Sequence, residues 1–150
     1  MSIMFESGSF ETHSPAETEA LGARFARTLN VPAIVLLSGE LGAGKTAFVR
    51  GMARGIDAPP GVRVTSPTYV LLHSYKAGRA TLHHIDAYRL AGGADEFEDS
   101  GLSECLHDTN AITCIEWPEK IPALNFPCRP VRVRLEHLDP DSRKIDISGA

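Results

Sequence analysis

The stretch AIVLLSGELGAGKT, residues 33–46, decides the fold. Its first five residues, Ala33 to Leu37, form a continuous apolar run, partly β-branched, directly after Pro32. Such a run suits a strand buried on both faces, the usual state of a central parallel strand. The remainder, Gly39 to Thr46, fits G-x-x-x-x-G-K-[ST], the phosphate loop that joins a buried strand to a helix. The helix it announces should begin near Gly44 and bury Phe48, Met52 and Ile56. Each residue type has a task here. Glycines let successive N–H groups turn inward toward phosphate oxygens, and the helix N-terminus adds its positive dipole end. Lys45 would bring a point charge to the β and γ phosphates, and the Thr46 hydroxyl is a hard oxygen suited to Mg2+. The expected nucleotide-binding stretch is therefore Glu40, Leu41, Gly42, Ala43, Gly44, Lys45, Thr46 and Ala47.

Working outward from the loop, Ser14-Pro15-Ala16-Glu17 reads as a helix start, with Ser14 as cap and Pro15 in the first turn. Leu21, Phe25 and Leu29 recur on one face, so a helix over residues 15–29 is expected. Between Thr68 and Asp86 the period changes to two around a turn at residues 76–79, which predicts an antiparallel hairpin. An acidic segment then carries Leu102 and Leu106 at helical spacing over the sheet. Ala111 to Ile115 is another short buried strand, and the alternation at Val131, Val133, Leu135 and at Ile145, Ile147 predicts a closing hairpin. The sum is an α/β chain: a single P-loop NTPase-like three-layer domain over residues 1–150, with a mixed, partly antiparallel sheet.

Composition bounds the function. Fifteen Lys and Arg against nineteen Asp and Glu leave a net charge of −4. That balance argues against gripping nucleic acid through phosphates, a footprint that needs clustered base, so any nucleic-acid role should run through partners. No apolar stretch approaches the roughly 18 residues of a membrane span. The opening MSIMFESGSF has no basic and apolar leader pattern. Three cysteines, Cys105, Cys114 and Cys128, lack metal or disulfide spacing and read as reduced thiols of a cytoplasmic protein.

Two carboxylates complete a site. Asp86 ends one strand and Glu116 another, and in open α/β sheets ligands lie beyond the carboxyl ends of strands. Glu116 follows the more parallel-looking, all-buried strand and is favoured as the magnesium-side acid beside Thr46; Asp86 is the water-orienting or switch-linked acid. With Lys45 these are the candidate catalytic groups. Ser66-Pro67-Thr68 offers two hydroxyls on a stiffened turn that could touch a γ phosphate. Trp117 sits beside Glu116, either near the nucleotide or over the core. His83 and His84 are consecutive, so they face opposite sides of a strand and form no metal pair. A guanine-specific GTPase carries N-K-x-D and, after its second strand, D-x-x-G. Neither is found in those places, and ATP is the expected nucleotide.

Taken together, GELGAGKT at residues 39–46, SPTY at 66–69, HIDAYRL at 84–90 and IEWPEK at 115–120 resemble the TsaE family, small P-loop ATPases of bacterial tRNA threonylcarbamoyladenosine synthesis. The likeness runs from about Ser14 to Ile147, with the blocks in matching order and spacing. It implies ATP on the phosphate loop, Mg2+ held by Thr46 and Glu116, and Asp86 supporting hydrolysis. It also implies Ser14 near the adenine and an arginine of the last hairpin near the nucleotide, best matched by Arg143 with Arg132 and Arg134 in competition. The implied partners are TsaB and TsaD, which would hold the tRNA. Glu40 stands where the family usually has Asp, and Tyr69 where Phe is equally common. A small-metabolite kinase is the alternative. Such enzymes carry an arginine-rich lid, whereas residues 95–108 here hold six acids and neither Lys nor Arg.

Overall fold

The computed structural model describes residues 7–67 and 71–149. The apolar run becomes β2 (Ala33–Gly39), and the glycine-rich loop after it leads into α2 (Lys45–Gly55). Every residue from Ala33 to Leu37 is buried, because both faces of the strand are covered. Val35 and Leu37 meet Phe25, Phe48 and Met52 on one face, while Ile34 and Leu36 meet Phe97, Leu106 and Ile121 on the other. Two apolar layers around one sheet explain why this strand does not alternate.

Upstream, α1 spans Pro15–Thr28, capped by Ser14, whose Oγ accepts the Glu17 N–H at 3.1 Å. Glu17 completes the cap in return: its Oε1 accepts the His13 N–H at 2.9 Å. The helices α1 and α2 cross closely, and Gly51 makes that approach possible. A Cβ at Gly51 would stand 1.9 Å from the Glu19 carbonyl oxygen. The sequence spacing of Leu21 and Phe25 thus fixes which face packs, and the glycine fixes how near the two axes come.

Downstream, β3 (Leu72–Lys76) and β4 (Thr81–Asp86) form the antiparallel pair expected from the period of two, although residues 68–70 of that expected hairpin lie outside the described residues. The acidic segment is two short elements rather than one helix. α3 (Gly93–Asp99) ends, the chain passes Gly101, and Leu102–His107 continues as a 3-10 helix. Gly101 has φ of 83°, a left-handed turn that no continuous helix accommodates. Phe97, Leu102 and Leu106 are nevertheless buried, so the segment covers the sheet as its leucine spacing predicts.

β5 (Ala111–Glu116), β6 (Val131–His137) and β7 (Arg143–Gly149) follow, and β1 (Gly8–Thr12) pairs antiparallel with β7. Sequence patterning did not anticipate β1, since an exposed edge strand leaves little apolar alternation. The seven-stranded order is β1-β7-β6-β2-β5-β4-β3. The centre β6-β2-β5-β4 is parallel throughout, and both margins are antiparallel. This is the expected three-layer α/β arrangement with a mixed sheet. No helix among the described residues is long and apolar enough to cross a membrane.

Candidate functional site

Three parallel strands deliver the site. β2 ends in the phosphate loop, β4 in Asp86 and β5 in Glu116, all at one edge of the sheet. Asp86 and Glu116 are direct cross-strand partners in the parallel β4/β5 register. The strand that ends in Asp86 is thus as parallel as the one that ends in Glu116, so the expected preference for Glu116 as the magnesium-side acid gains nothing from strand direction. Both carboxylates are buried, at 5% and 3% exposure, beside the loop.

A cavity of about 600 Å3 opens there, within the range of small-molecule sites. Ser14, Leu41, Gly42, Gly44, Lys45, Thr46, Ala47, Asp86, Glu116, Trp117 and Arg143 all line it. Of the expected loop residues, Ala43 is buried beneath the loop, and Glu40 lines a separate recess behind it with Glu119 and Arg134. Thr68 lies outside the described residues. Its neighbour Ser66 lines the cavity, and its Oγ donates to Asp86 Oδ2 at 3.4 Å. Asp86 Oδ1 also accepts the Tyr88 N–H at 3.0 Å.

Gly44, with φ of 97°, caps α2 in a left-handed conformation, which turns the first backbone N–H groups of the helix toward the cavity. No acid occupies the first turn of α2, so its positive end is left for an anion. Lys45 is drawn inward. Its Nζ donates to the Gly39 carbonyl, lies 4.0 Å from Glu116 Oε1 and sits 4.2 Å from the Trp117 ring centroid. Burial pushes the Lys45 pKa down, opposed first by the charge of Glu116 and then by those of Asp86 and Glu119. The Lys45 side chain is thereby placed among groups that a phosphate could replace.

Trp117 has φ of 58°, a left-handed conformation that a large side chain rarely adopts. That turn lets Glu116 point into the site while the next residue lays its ring beneath Lys45. Such strain typically costs about 1–3 kcal/mol and persists where surrounding contacts hold it. Tyr88 supplies one, with its ring centroid 5.0 Å from that of Trp117.

The three arginines of the closing hairpin separate. Arg132 is exposed, Arg134 pairs with Glu136 at 3.2 Å, and Arg143 lines the cavity. Arg143 Nη2 donates to the Gly42 carbonyl at 3.2 Å, and its Nη1 donates to the carbonyls of Asp139, Pro140 and Ser142. These bonds tie the last hairpin to the phosphate loop.

The donor set fits a nucleoside triphosphate with a hard divalent cation: a hydroxyl at Thr46, two buried carboxylates, inward N–H groups and two cations around one cavity. Sequence reasoning missed His84, which is fully buried with Nε2 2.5 Å from Glu116 Oε2. The signal was present, since His84 lies two residues before Asp86 and so shares its strand face. Thr18 was missed as well. It lines the cavity and shares a 2.7 Å hydroxyl bond with Thr12. Cys114, the cross-strand neighbour of His84, is buried, and burial followed by the Glu116 charge pushes its thiol pKa far up, so it remains protonated.

A family model described as "Threonylcarbamoyl adenosine biosynthesis protein TsaE" matches residues 12–145. The chain is 38% identical over 137 residues to the tRNA threonylcarbamoyladenosine biosynthesis protein TsaE of Treponema pallidum (strain Nichols), covering 91% of this chain and 97% of the relative. It is 33% identical over 140 residues to the protein of the same description from Bacillus subtilis (strain 168), covering 93% and 84%. Among solved structures, the crystal structure of Bacillus subtilis YdiB superposes with a TM-score of 0.75 at 26% identity, over 97% of this chain and 87% of that one.

Proposed function

Because this chain belongs to the TsaE family, which takes part in tRNA threonylcarbamoyladenosine biosynthesis, we propose that it is the Mg2+-dependent ATPase of that modification. The observation that carries the reading is the convergence of Lys45, Thr46, Asp86 and Glu116 on one cavity beside a phosphate loop. The loop and the α2 N-terminus cradle the triphosphate, with Lys45 leaving Trp117 to neutralise the β and γ oxygens. Thr46 and Glu116 hold Mg2+, which when bound screens phosphate charge and shields the leaving oxygen. Asp86, tied to Ser66, orients the attacking water and links the site to the 66–68 turn. Ser14 lies at the adenine end, and Arg143 braces the loop from the last hairpin.

The protein acts in the cytoplasm on a complex of TsaB-like and TsaD-like partners, which hold the tRNA. Leu41 and Tyr88, 90% and 53% exposed, stand at the cavity mouth and support a partner closing over it. A phosphate-screening kinase lid has no counterpart in residues 95–108, whose six acids stand above a buried Phe97, Leu102 and Leu106.

The test is phosphate release from ATP by wild type, Lys45→Ala and Glu116→Ala, alone and with both partners. Slow turnover alone, acceleration by the partners and loss in both variants are expected. Phosphoryl transfer to a small metabolite, or indifference to the partners, would sink the reading.

A further inference from the structure

The geometry points to His84 as a positioning residue that fixes the Glu116 carboxylate for metal binding. We propose that the His84 ring, protonated at Nε2, locks Glu116 Oε2 and thereby leaves Oε1 as the oxygen presented to the site. This rests on the ATPase reading above.

Three observations carry it. His84 and Glu116 are diagonal neighbours on one face of the parallel pair, because His84 opposes Cys114 and Asp86 opposes Glu116. The His84 Nε2 to Glu116 Oε2 separation is 2.5 Å between two buried side chains, 0% and 4% exposed, where a charged-acceptor bond is strong and poorly replaced by water. The other oxygen, Oε1, is the one that lies 4.0 Å from Lys45 Nζ. The two oxygens of one carboxylate are therefore committed in different directions.

The tautomer follows from the same surroundings. Among the described residues Nδ1 has no hydrogen-bond partner and is sealed from solvent. A proton there would be an unpaired buried donor, whereas a proton on Nε2 meets the carboxylate. Imidazoles and carboxylates just behind a metal ligand commonly fix its direction, and losing one typically weakens metal binding about 10–100-fold. The role assigned to His84 is of this kind, with the ring oriented by burial instead of by a bond at Nδ1.

The test compares His84→Gln with His84→Asn in the full chain. The Gln amide reaches the place of Nε2, while the Asn amide stops near Nδ1. Fluorescent ADP is titrated in EDTA and again with Mn2+, and the ratio of the two affinities reads the metal contribution. Both variants should bind ADP in EDTA within about twofold of wild type. The Mn2+ gain should fall about tenfold in the Asn variant and stay near wild type in the Gln variant. An undiminished gain in the Asn variant, equal losses in both variants, or parallel loss in EDTA and Mn2+ would overturn the positioning role. A wild type that binds no ADP at all overturns the ATPase reading itself, and the role with it. Nitrogen-15 histidine NMR of the wild type decides independently of how the variants fold: a proton on Nε2 is expected, and a bare Nε2 overturns the proposal.

Discussion

β4 carries two consecutive histidines, each bonded to a carboxylate, and the two bonds do different work. His83 Nε2 lies 2.8 Å from Asp108 Oδ2, and its Nδ1 is 2.8 Å from Ser74 Oγ, on a partly exposed face. His84, one residue on, turns to the other face and meets Glu116 in the sealed base of the cavity. Alternation along the strand sends the same side chain to solvent or to the site. Water can replace the first bond and cannot reach the second. The difference teaches that burial and register, not residue type, separate a surface brace from a functional contact.

The largest effect should come from the carboxylates. Glu116→Ala is expected to lower partner-stimulated ATP turnover about a thousandfold, roughly 4 kcal/mol of barrier, and Asp108→Ala to leave it within about twofold. Equal losses would erase the distinction between the two histidine pairs. The next effect is on stability. His84→Leu removes from a buried site the hydrogen-bond partner that Glu116 Oε2 has among the described residues, and should lower the free energy of unfolding by about 3 kcal/mol in urea titrations. His83→Leu should cost about 0.5–1 kcal/mol by the same measurement, because its partner remains hydrated. A cost for His83→Leu matching that of His84→Leu would mean that the outer pair is held far more tightly than its exposure implies.

The contrast between the histidines marks what could be read from residue order. The phosphate loop, the helix cap at Ser14 and the parallel centre were legible because they depend on short-range pattern: a glycine spacing, a capping serine, an apolar run. The opposite orientation of His83 and His84 was equally legible from a period of two. Their partners were not. Asp108 and Glu116 lie 25 and 32 residues away; the β4/β5 register brings Glu116 to His84, and the turn that ends the 3-10 helix brings Asp108 to His83. The edge strand β1 was hidden for a related reason, since its pairing with β7 spans nearly the whole chain and its side chains are mostly exposed. The near crossing at Gly51 likewise appears only once α1 lies against α2.

The smallest expected effect lies in acid, at the outer pair. The His83 hydrogen bond, followed by the Asn110 N–H, holds the Asp108 carboxyl below its ordinary value of 3.8. A carboxyl whose folded pKa is depressed contributes stability that is fully present above the unfolded pKa and lost as pH falls through the folded one. Unfolding of wild type and of Asp108→Asn, followed in urea from about pH 5 downward, should therefore differ by a constant amount at first. The difference should shrink below pH 3.8 and vanish once the folded carboxyl is protonated. A difference that persists unchanged through that window would show that Asp108 steadies His83 without being ionised. The outer pair would then be a neutral hydrogen bond, and the contrast with the sealed Glu116 pair would rest on access to water alone.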